Sequence, residues 1–315
     1  MIGYVAAGVI AAFVLPPNPA ALRICGLLGE VGVLALMFTS GAEIDGGELL
    51  TRARRGLPLT AAVIVTPFAC GLLLAPRFPQ LRGAGANPNA YAIFLATCLA
   101  VTAFPVLIEI LRDRRLLATP IGIAAAGVAA VNDVVAWLLL AGVTLWSAAA
   151  TPPLLVLAVF VAFFAGTFMP HSPRVAARLA VVRRVLCVPF LPLFFAAIGM
   201  HAAAVRGDII AVTALFIAVA ALSKIVPAAL VSRLRGERWR YALSLGALLS
   251  ARGAMELIAA KLGLEMGLLS PAGFSVLVSV AVATTLLTGP LLRAAYSPSF
   301  GSTTAAAVSS SDAAA

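Results

Sequence analysis

Residues 120–148 read P-I-G-I-A-A-A-G-V-A-A-V-N-D-V-V-A-W-L-L-L-A-G-V-T-L-W-S-A, an almost entirely apolar stretch with the pair Asn132-Asp133 at its centre. A helix needs roughly 20 apolar residues to cross the hydrocarbon core of a membrane, and this stretch is longer than that. A carboxylate at mid-depth costs roughly 3 kcal/mol on insertion scales, so Asp133 is expected to face protein rather than lipid. The stretch therefore predicts a membrane protein with a functional carboxylate at its centre.

The composition extends this interpretation to the whole chain. Of its 315 residues, 62% are hydrophobic and 11% are charged, and the mean hydropathy is +1.08. Soluble domains usually carry about 25% charged residues, so the sequence predicts an all-α polytopic membrane protein. Ten apolar spans are expected, at residues 2–15, 26–42, 57–75, 90–111, 117–147, 152–169, 187–204, 208–231, 240–262 and 270–292.

The net charge of +10 is spread over the loops between these spans. If successive loops alternate between the two sides, fifteen cations fall on one side, here called the arginine-rich side, and five on the other. This placement argues against nucleic-acid binding, and the positive-inside rule puts both termini in the cytoplasm. We expect a membrane domain over residues 1–296 and a disordered cytoplasmic tail over 297–315. The composition suggests a bacterial inner membrane protein.

Two of the spans carry an interruption at matching positions. Ten spans with an interior amino terminus divide into two sets of five with opposite polarity, which is typical of an inverted-repeat transporter. The fourth span of each set is broken, by T-A-F-P at 102–105 and by S-A-R-G at 250–253. Pro105 and Gly253 mark the breaks, because proline and glycine both disfavour a continuous helix. Paired discontinuous helices predict an ion site at the bilayer midplane.

The charged residues within the spans are the candidates for chemistry. Asp133 can hold either a proton or a small cation, and competition for one carboxylate can couple two fluxes. The alternative is a carboxylate permanently paired with a cation, for which Lys224 is the candidate partner. Arg252 and Glu256 stand at i and i+4 on a predicted helix, so a structural ion pair is the expected arrangement for them. No cofactor is expected.

Eight motifs together resemble the monovalent cation:proton antiporter superfamily, in the branch of bacterial sodium or potassium efflux exchangers and plant cation/proton exchangers. They occur in order along nearly the whole chain. They are G-Y-V-A-A-G-V-I at 3–10, L-M-F-T-S-G-A-E-I-D at 36–45, A-V-T-A-F-P-V-L at 100–107, L-L-A-T-P-I-G at 116–122, V-N-D-V-V-A-W-L-L-L-A at 131–141, F-L-P-L-F-F-A-A-I-G-M at 190–200, S-K-I-V at 223–226 and A-R-G-A-M-E-L-I at 251–258.

The resemblance implies roles for three residues. Asp133 matches the group that binds cation and proton, Asn132 the preceding position that tunes coupling, and Thr102 a residue of the unwound segment. It also implies crossed discontinuous helices and an elevator mechanism in a homodimer. On this hypothesis the protein exchanges sodium or potassium for protons, with Thr102, Asn132 and backbone carbonyls completing an oxygen shell around the ion.

Two departures from the family pattern accompany the resemblance. Glu109 follows F-P-V-L-I at a place where the family commonly has arginine, so the cytoplasmic vestibule is expected to differ. The family also usually has another helix before the first motif, so a missing first helix is expected.

Three other functions remain open. A sodium-coupled symporter of an organic solute could use the same scaffold, although it would be expected to have a second sodium site rich in Asn, Gln and Ser. An inactive truncated membrane subunit is a second alternative, and a channel lined by Asp133 is a third. An enzyme is disfavoured, because the sequence has no G-x-S-x-G and no H-E-x-x-H motif.

Overall fold

The computed structural model describes residues 2–14, 19–43, 46–147, 154–170, 172–202 and 209–295. The predicted tail lies outside these residues. A π-helical turn at Arg183–Cys187 lies between the helices Pro173–Val182 and Val188–Ala202. The described helices are α1 (Ile2–Val14), α2 (Pro19–Ala42), α3 (Gly46–Leu74), α4 (Pro88–Ala100), α5 (Phe104–Asp113), α6 (Pro120–Ser147), α7 (Leu154–Thr167), α8 (Pro173–Val182), α9 (Val188–Ala202), α10 (Ile210–Leu234), α11 (Trp239–Leu249), α12 (Ala254–Glu265) and α13 (Pro271–Ala295).

The described helices include seven that are long and apolar enough to span a membrane, or eight if the bent pair α11 and α12 counts as one. Two shorter apolar helices, Ile2–Ala12 and Leu157–Thr167, fall where the first and sixth predicted spans lie. Many of the spans carry exposed apolar side chains on their outer faces, such as Leu73, Leu138 and Val161. An apolar outer surface of this extent suits a lipid environment. The prediction of an all-helical polytopic membrane protein is therefore confirmed, while the described residues do not establish its count of ten spans.

The helices pack into two groups. The α2 group consists of α1, α2, α7, α8 and α9, in which α1 packs on α9 and α2 packs on both α7 and α9. The α6 group consists of α3 to α6 and α10 to α13, with α6 contacting α3, α4, α5 and α11. The site residues predicted from the sequence all lie in the α6 group.

Glycines allow the helices of the α2 group to approach closely. A Cβ atom at Gly8 would overlap the backbone of Ala196, and one at Gly199 would overlap the backbone of Val5, so α1 and α9 approach through two reciprocal glycines. Small residues at an interface let helix backbones pack without a hydrophobic driving force, as membrane helices require. The α2 group is therefore held together largely by close backbone packing.

Two broken helices lie inside the α6 group. The first consists of α4 and α5, separated by residues 101–103, and the second of α11 and α12, separated by residues 250–253 and bent by 40°. Both interruptions occur where the sequence places them. Pro105 lies in the first turn of α5, where an amide donor would have no helical partner in any case. Gly253 is required by close approach, because a Cβ there would overlap the side chain of Val106 beyond the other break.

Candidate functional site

The carboxyl end of α4 is buried, and its backbone carbonyls are bonded by side chains from other helices. The last carbonyls of a helix have no partner within it, and buried ones need another donor. Asn132 Nδ2 donates to the Ala100 carbonyl at 2.9 Å, and Lys224 Nζ donates to the Val101 carbonyl at 2.6 Å. These donors come from α6 and α10, so three helices meet at the first break.

Arg252, in the second break, bonds to the two preceding carbonyls of α4. Its guanidinium donates to the Cys98 carbonyl at 2.7 Å and also to the Leu99 carbonyl. Lys224 and Arg252 are both fully buried. Two cationic side chains thus face the negative end of the α4 dipole, which is a favourable arrangement.

The two breaks also bond directly to each other. The Thr102 hydroxyl donates to the Leu249 carbonyl at 3.1 Å, and the Ala103 amide donates to the Ala251 carbonyl at 3.4 Å. Each non-helical segment therefore supplies donors or acceptors to the other. Buried backbone groups that a helix would have paired are satisfied by bonds between the two breaks instead.

Thr102 has its hydrogen-bonding capacity fully used. A hydroxyl has one proton to donate and two lone pairs with which to accept. The proton of Thr102 goes to Leu249, while its oxygen accepts from Asn132 Nδ2 at 2.8 Å and from Lys224 Nζ. Ion ligation by Thr102 stays a prediction, and it requires one of these two bonds to be released.

Asp133 differs from its neighbours, because neither of its carboxylate oxygens has a hydrogen-bond partner among the described residues. Its side chain is only 1% exposed. The Phe104 amide at the start of α5 is directed at this carboxylate, but its geometry is too loose for a regular hydrogen bond, and the Lys224 ammonium lies near without forming an ion pair with it. Asn132 Oδ1, on the same helix, also lacks a partner within the described residues. The Asp133 carboxylate can accept a proton or a hard cation, and the Asn132 amide oxygen can serve as a cation ligand.

Arg252 and Glu256 form the ion pair expected from their spacing. Arg252 Nη1 lies 2.8 Å from Glu256 Oε1, and both side chains are fully buried. Asp133, Glu256, Lys224 and Arg252 together have a formal charge of zero when all are ionised. Such balance matters here, because an uncompensated charge buried in a membrane is costly.

A cavity of about 450 Å³, here called the Glu109 cavity, lies between α5 and the helices α2 and α9 and extends to the two breaks. Pro105 and Ala254, at the starts of α5 and α12, form part of its wall together with Glu109. Arg112 and Arg183 also line it, and both belong to the arginine-rich side. The wall of this cavity therefore includes residues beside both breaks and residues of the arginine-rich side.

A second cavity of about 450 Å³, the Lys261 cavity, lies between α2, α9, α12 and α13. Lys261 forms an ion pair with Glu30 of α2 at 2.7 Å and with Glu265 of its own helix at 3.3 Å. No residue of either break lines this cavity. The Glu109 cavity therefore extends to the breaks, whereas the Lys261 cavity does not.

Sequence reasoning missed two contacts near the site. Thr285 of α13 donates to the Arg252 carbonyl at 2.5 Å, and Lys261 joins α12 to α2 through Glu30. A threonine in a membrane span gives only a weak signal, because most such hydroxyls bond to their own helix. Glu30 and Lys261 lie far apart in the chain, so only their opposite charges within or beside apolar spans could have suggested the pair.

Comparison with known proteins identifies the family. The chain matches the transmembrane sodium/hydrogen exchanger family over residues 1–184 and 155–296. It is 29% identical to cation/H(+) antiporter 18 of Arabidopsis thaliana, over 88% of this chain and 42% of that protein. It is 25% identical to K(+)/H(+) antiporter 1 of Saccharomyces cerevisiae, over 87% of this chain and 40% of the yeast protein.

A relative of more similar length comes from a cyanobacterium. The Na(+)/H(+) antiporter NhaS4 of Synechocystis is 27% identical over 86% of this chain and 82% of its own length. The chain spans about two fifths of the length of the plant and yeast relatives. Since the family match covers nearly all of residues 1–296, this chain belongs to the transmembrane sodium/hydrogen exchanger family.

Proposed function

We propose that this protein exchanges a monovalent cation, sodium or potassium, for protons across a membrane, with Asp133 as the group that binds them in turn. The observation that carries this proposal is the buried Asp133 carboxylate, whose two oxygens have no partner among the described residues. Fixed structural carboxylates inside membranes are usually paired, whereas transported ions and protons need an unpaired one. The relatives named as cation/H(+), K(+)/H(+) and Na(+)/H(+) antiporters support the same activity.

Exchange follows from competition at the one carboxylate. A proton on Asp133 removes the negative charge that would attract a cation, and a bound cation excludes the proton. Sodium and potassium are hard cations that prefer oxygen ligands. Asn132 Oδ1, which also lacks a described partner, is a suitable second ligand. Thr102 becomes a third ligand when Lys224 or Asn132 releases it.

Lys224, Arg252 and Glu256 have supporting roles in this proposal. Lys224 and Arg252 neutralise the carboxyl end of α4, and Glu256 compensates Arg252. The breaks at Pro105 and Gly253 place non-helical backbone at the site, where it is enclosed by protein rather than lipid. These charges keep the group of Asp133, Lys224, Arg252 and Glu256 close to neutral while Asp133 exchanges a proton for a cation.

Movement is proposed to occur between the two helix groups. The α6 group carries Asp133 and both breaks, while the α2 group is held by close glycine contacts. We propose an elevator motion in which the α6 group moves against the α2 group and exposes the site to each side in turn. The architecture proposed is ten transmembrane helices in two inverted five-helix repeats, counting α4 with α5 and α11 with α12 as single broken spans and α8 with α9 as one span through the π-helical turn. The short helices α1 and α7 would supply the first span of each repeat.

The cellular setting belongs to the same proposal. The arginine-rich side would face the cytoplasm by the positive-inside rule, with both termini on that side. We place the protein in a bacterial inner membrane as a homodimer formed through the α2 group.

The test is proton movement in proteoliposomes that contain the purified protein and a pH-sensitive dye. Adding sodium or potassium to vesicles with an imposed proton gradient is expected to cause proton movement in the wild type. Asp133→Asn should abolish it, because an amide can neither take the proton nor neutralise the cation. Asp113→Asn is the matched control, since Asp113 is exposed at the end of α5, and it should retain activity. No cation-dependent proton movement in folded wild type would reject the proposal and favour a symporter or an inactive subunit.

A further inference from the structure

Thr285 makes a contact that its neighbours on α13 do not make. Its hydroxyl, half-buried, lies 2.5 Å from the Arg252 carbonyl in the second break and 2.7 Å from the Ala281 carbonyl of its own helix. Thr284 and Thr288, which are buried on the same helix, bond only to carbonyls of α13. The Thr285 hydroxyl shares its one proton between these two carbonyls, and its bond to Arg252 joins α13 to the break, whereas the bonds of Thr284 and Thr288 are internal to α13.

The Arg252 carbonyl needs such a donor. Arg252 is non-helical and fully buried, and a buried carbonyl without a partner is costly. Thr285 is the donor that the described structure provides for it. Because the guanidinium of the same residue bonds to the Cys98 and Leu99 carbonyls of α4, fixing the Arg252 backbone also fixes the side chain that holds the first break.

The first break has a similar contact. Asn132 of α6, the helix that follows α4 and α5 in the chain, bonds to the Ala100 carbonyl and to Thr102. Thr285 belongs to α13, the helix that follows α11 and α12. Each broken pair is thus bonded, at its non-helical segment, by a side chain from the next helix along the chain.

We propose that Thr285 is a positioning residue for the ion site, acting through Arg252, and that it does for the second break what Asn132 does for the first. This inference rests on the proposed cation:proton exchange. Loss of the Thr285 hydroxyl leaves the Arg252 carbonyl without its donor, so the Arg252 backbone shifts and its guanidinium no longer fixes the end of α4. The geometry of the oxygens around Asp133 depends on that end through Asn132 and Thr102.

The test compares Thr285→Val, Thr285→Ser and Thr284→Val in the full chain. Valine has nearly the shape of threonine but cannot donate. Thr285→Val should raise the apparent KM for the transported cation about three- to tenfold with a smaller change in the maximal rate, because an unmet buried carbonyl is costly. Thr285→Ser should restore a KM near the wild-type value, and Thr284→Val should leave it unchanged. An unchanged KM in Thr285→Val, or equal changes in Thr285→Val and Thr284→Val, would overturn the proposal.

A second measurement separates this inference from the proposed function. Hydrogen–deuterium exchange of peptides covering residues 250–257 does not depend on transport. Thr285→Val should exchange faster there than the wild type, whereas Thr285→Ser and Thr284→Val should not. Equal exchange in all four proteins would reject the positioning role even if transport is present. If the wild type shows no cation:proton exchange while Thr285→Val still exchanges faster at 250–257, the proposed function fails but the contact to the break stands.

Discussion

Two similar ion pairs along α2 join different parts of the molecule. Just after its carboxyl end, Glu43 lies 2.8 Å from Arg183, so both partners belong to the α2 group. Near the middle of α2, Glu30 lies 2.7 Å from Lys261 of α12, which belongs to the α6 group. The distances are nearly the same, yet only the second pair connects the two groups. An ion pair's length says little about its role until its partners are placed in the architecture.

The difference matches the distribution of the cavities. Near Arg183, the Glu109 cavity separates α5 from α2 and α9 and reaches the breaks at Pro105 and Ala254. Near Lys261, the groups are joined by the ion pair, and the cavity there does not reach the breaks. On the elevator motion proposed above, this arrangement would be the state open toward the arginine-rich side, and movement of the two groups past each other would break the bond between Glu30 and Lys261.

A covalent link in place of that ion pair should have the largest effect. In a background without the four native cysteines, Glu30→Cys and Lys261→Cys are introduced together. They are then joined by a reducible bifunctional thiol reagent long enough to replace the two side chains. Cation:proton exchange should fall to near zero after linking, because a covalent bond between α2 and α12 prevents relative movement.

The reversal provides the control for this experiment. Reduction of the linker should restore exchange, and each single cysteine treated with the reagent should remain active. Full exchange in a protein shown to be linked would mean that transport does not require the two groups to move apart on this side.

Removing the ion pair without a covalent link should have a smaller effect. Lys261→Met leaves Glu30 and Glu265 without their cation, and on the proposed elevator motion it should weaken the state in which the pair forms. For a partly exposed pair we expect about a fivefold change in the balance between the two states. A cysteine introduced at Val106, in the Glu109 cavity, should then react correspondingly more slowly with a water-soluble maleimide in the background without native cysteines.

Two further variants separate the contact between groups from the contact within α12. Glu265→Gln breaks only the pair within the helix and should leave the labelling rate nearly unchanged. The charge exchange Glu30→Lys with Lys261→Glu should recover most of the wild-type rate. Equal labelling in Lys261→Met and wild type would remove the pair from any role in the equilibrium.

The sequence predicted those features of the candidate site that depend on one residue or on one short stretch of the chain. Asp133 was identifiable because a carboxylate in a long apolar stretch is costly in lipid. The two breaks were identifiable because Pro105 and the polar run at 250–253 interrupt apolar spans. The pair of Arg252 and Glu256 followed from helical periodicity alone.

Features that depend on packing between distant segments could not be read in the same way. The saturation of Thr102 depends on Lys224 and Asn132 arriving from two other helices. The roles of Thr285 and Lys261 depend on which helix lies beside α13 and α12. In place of the alternative pairing of Lys224 with Asp133, the ammonium bonds to Val101 and Thr102, because the unpaired carbonyl of a broken helix competes for it.

Glu109 contributes a negative charge to the wall of the Glu109 cavity, and removing that charge should have a modest effect on transport. Arg183 in the same cavity is compensated by Glu43, so Glu109 offsets the remaining positive charge of Arg112. Glu109→Gln should raise the KM for the transported cation about two- to threefold at low ionic strength. A carboxylate in the wall of a cavity attracts an entering cation more strongly than one on an open surface, because the low-dielectric walls concentrate its electric field.

The salt dependence of the KM change tests this electrostatic explanation. The effect should shrink when choline chloride is added, because surface charges are screened at high salt. Glu237→Gln, another exposed carboxylate that lies in the turn between α10 and α11, should show no such change. A KM shift in Glu109→Gln that persists at high salt would indicate a structural cause instead.

The smallest effect is expected for the ion pair within the α2 group. Arg183 and Glu43 are 38% and 33% exposed, and an exposed pair contributes only about 0.2–1 kcal/mol. Arg183→Gln should therefore lower the thermal unfolding temperature slightly and leave the Val106 labelling rate at the wild-type value, because neither partner belongs to the group that carries Asp133. A labelling change as large as that in Lys261→Met would contradict the comparison, since it would show that a pair confined to one group also controls access to the site.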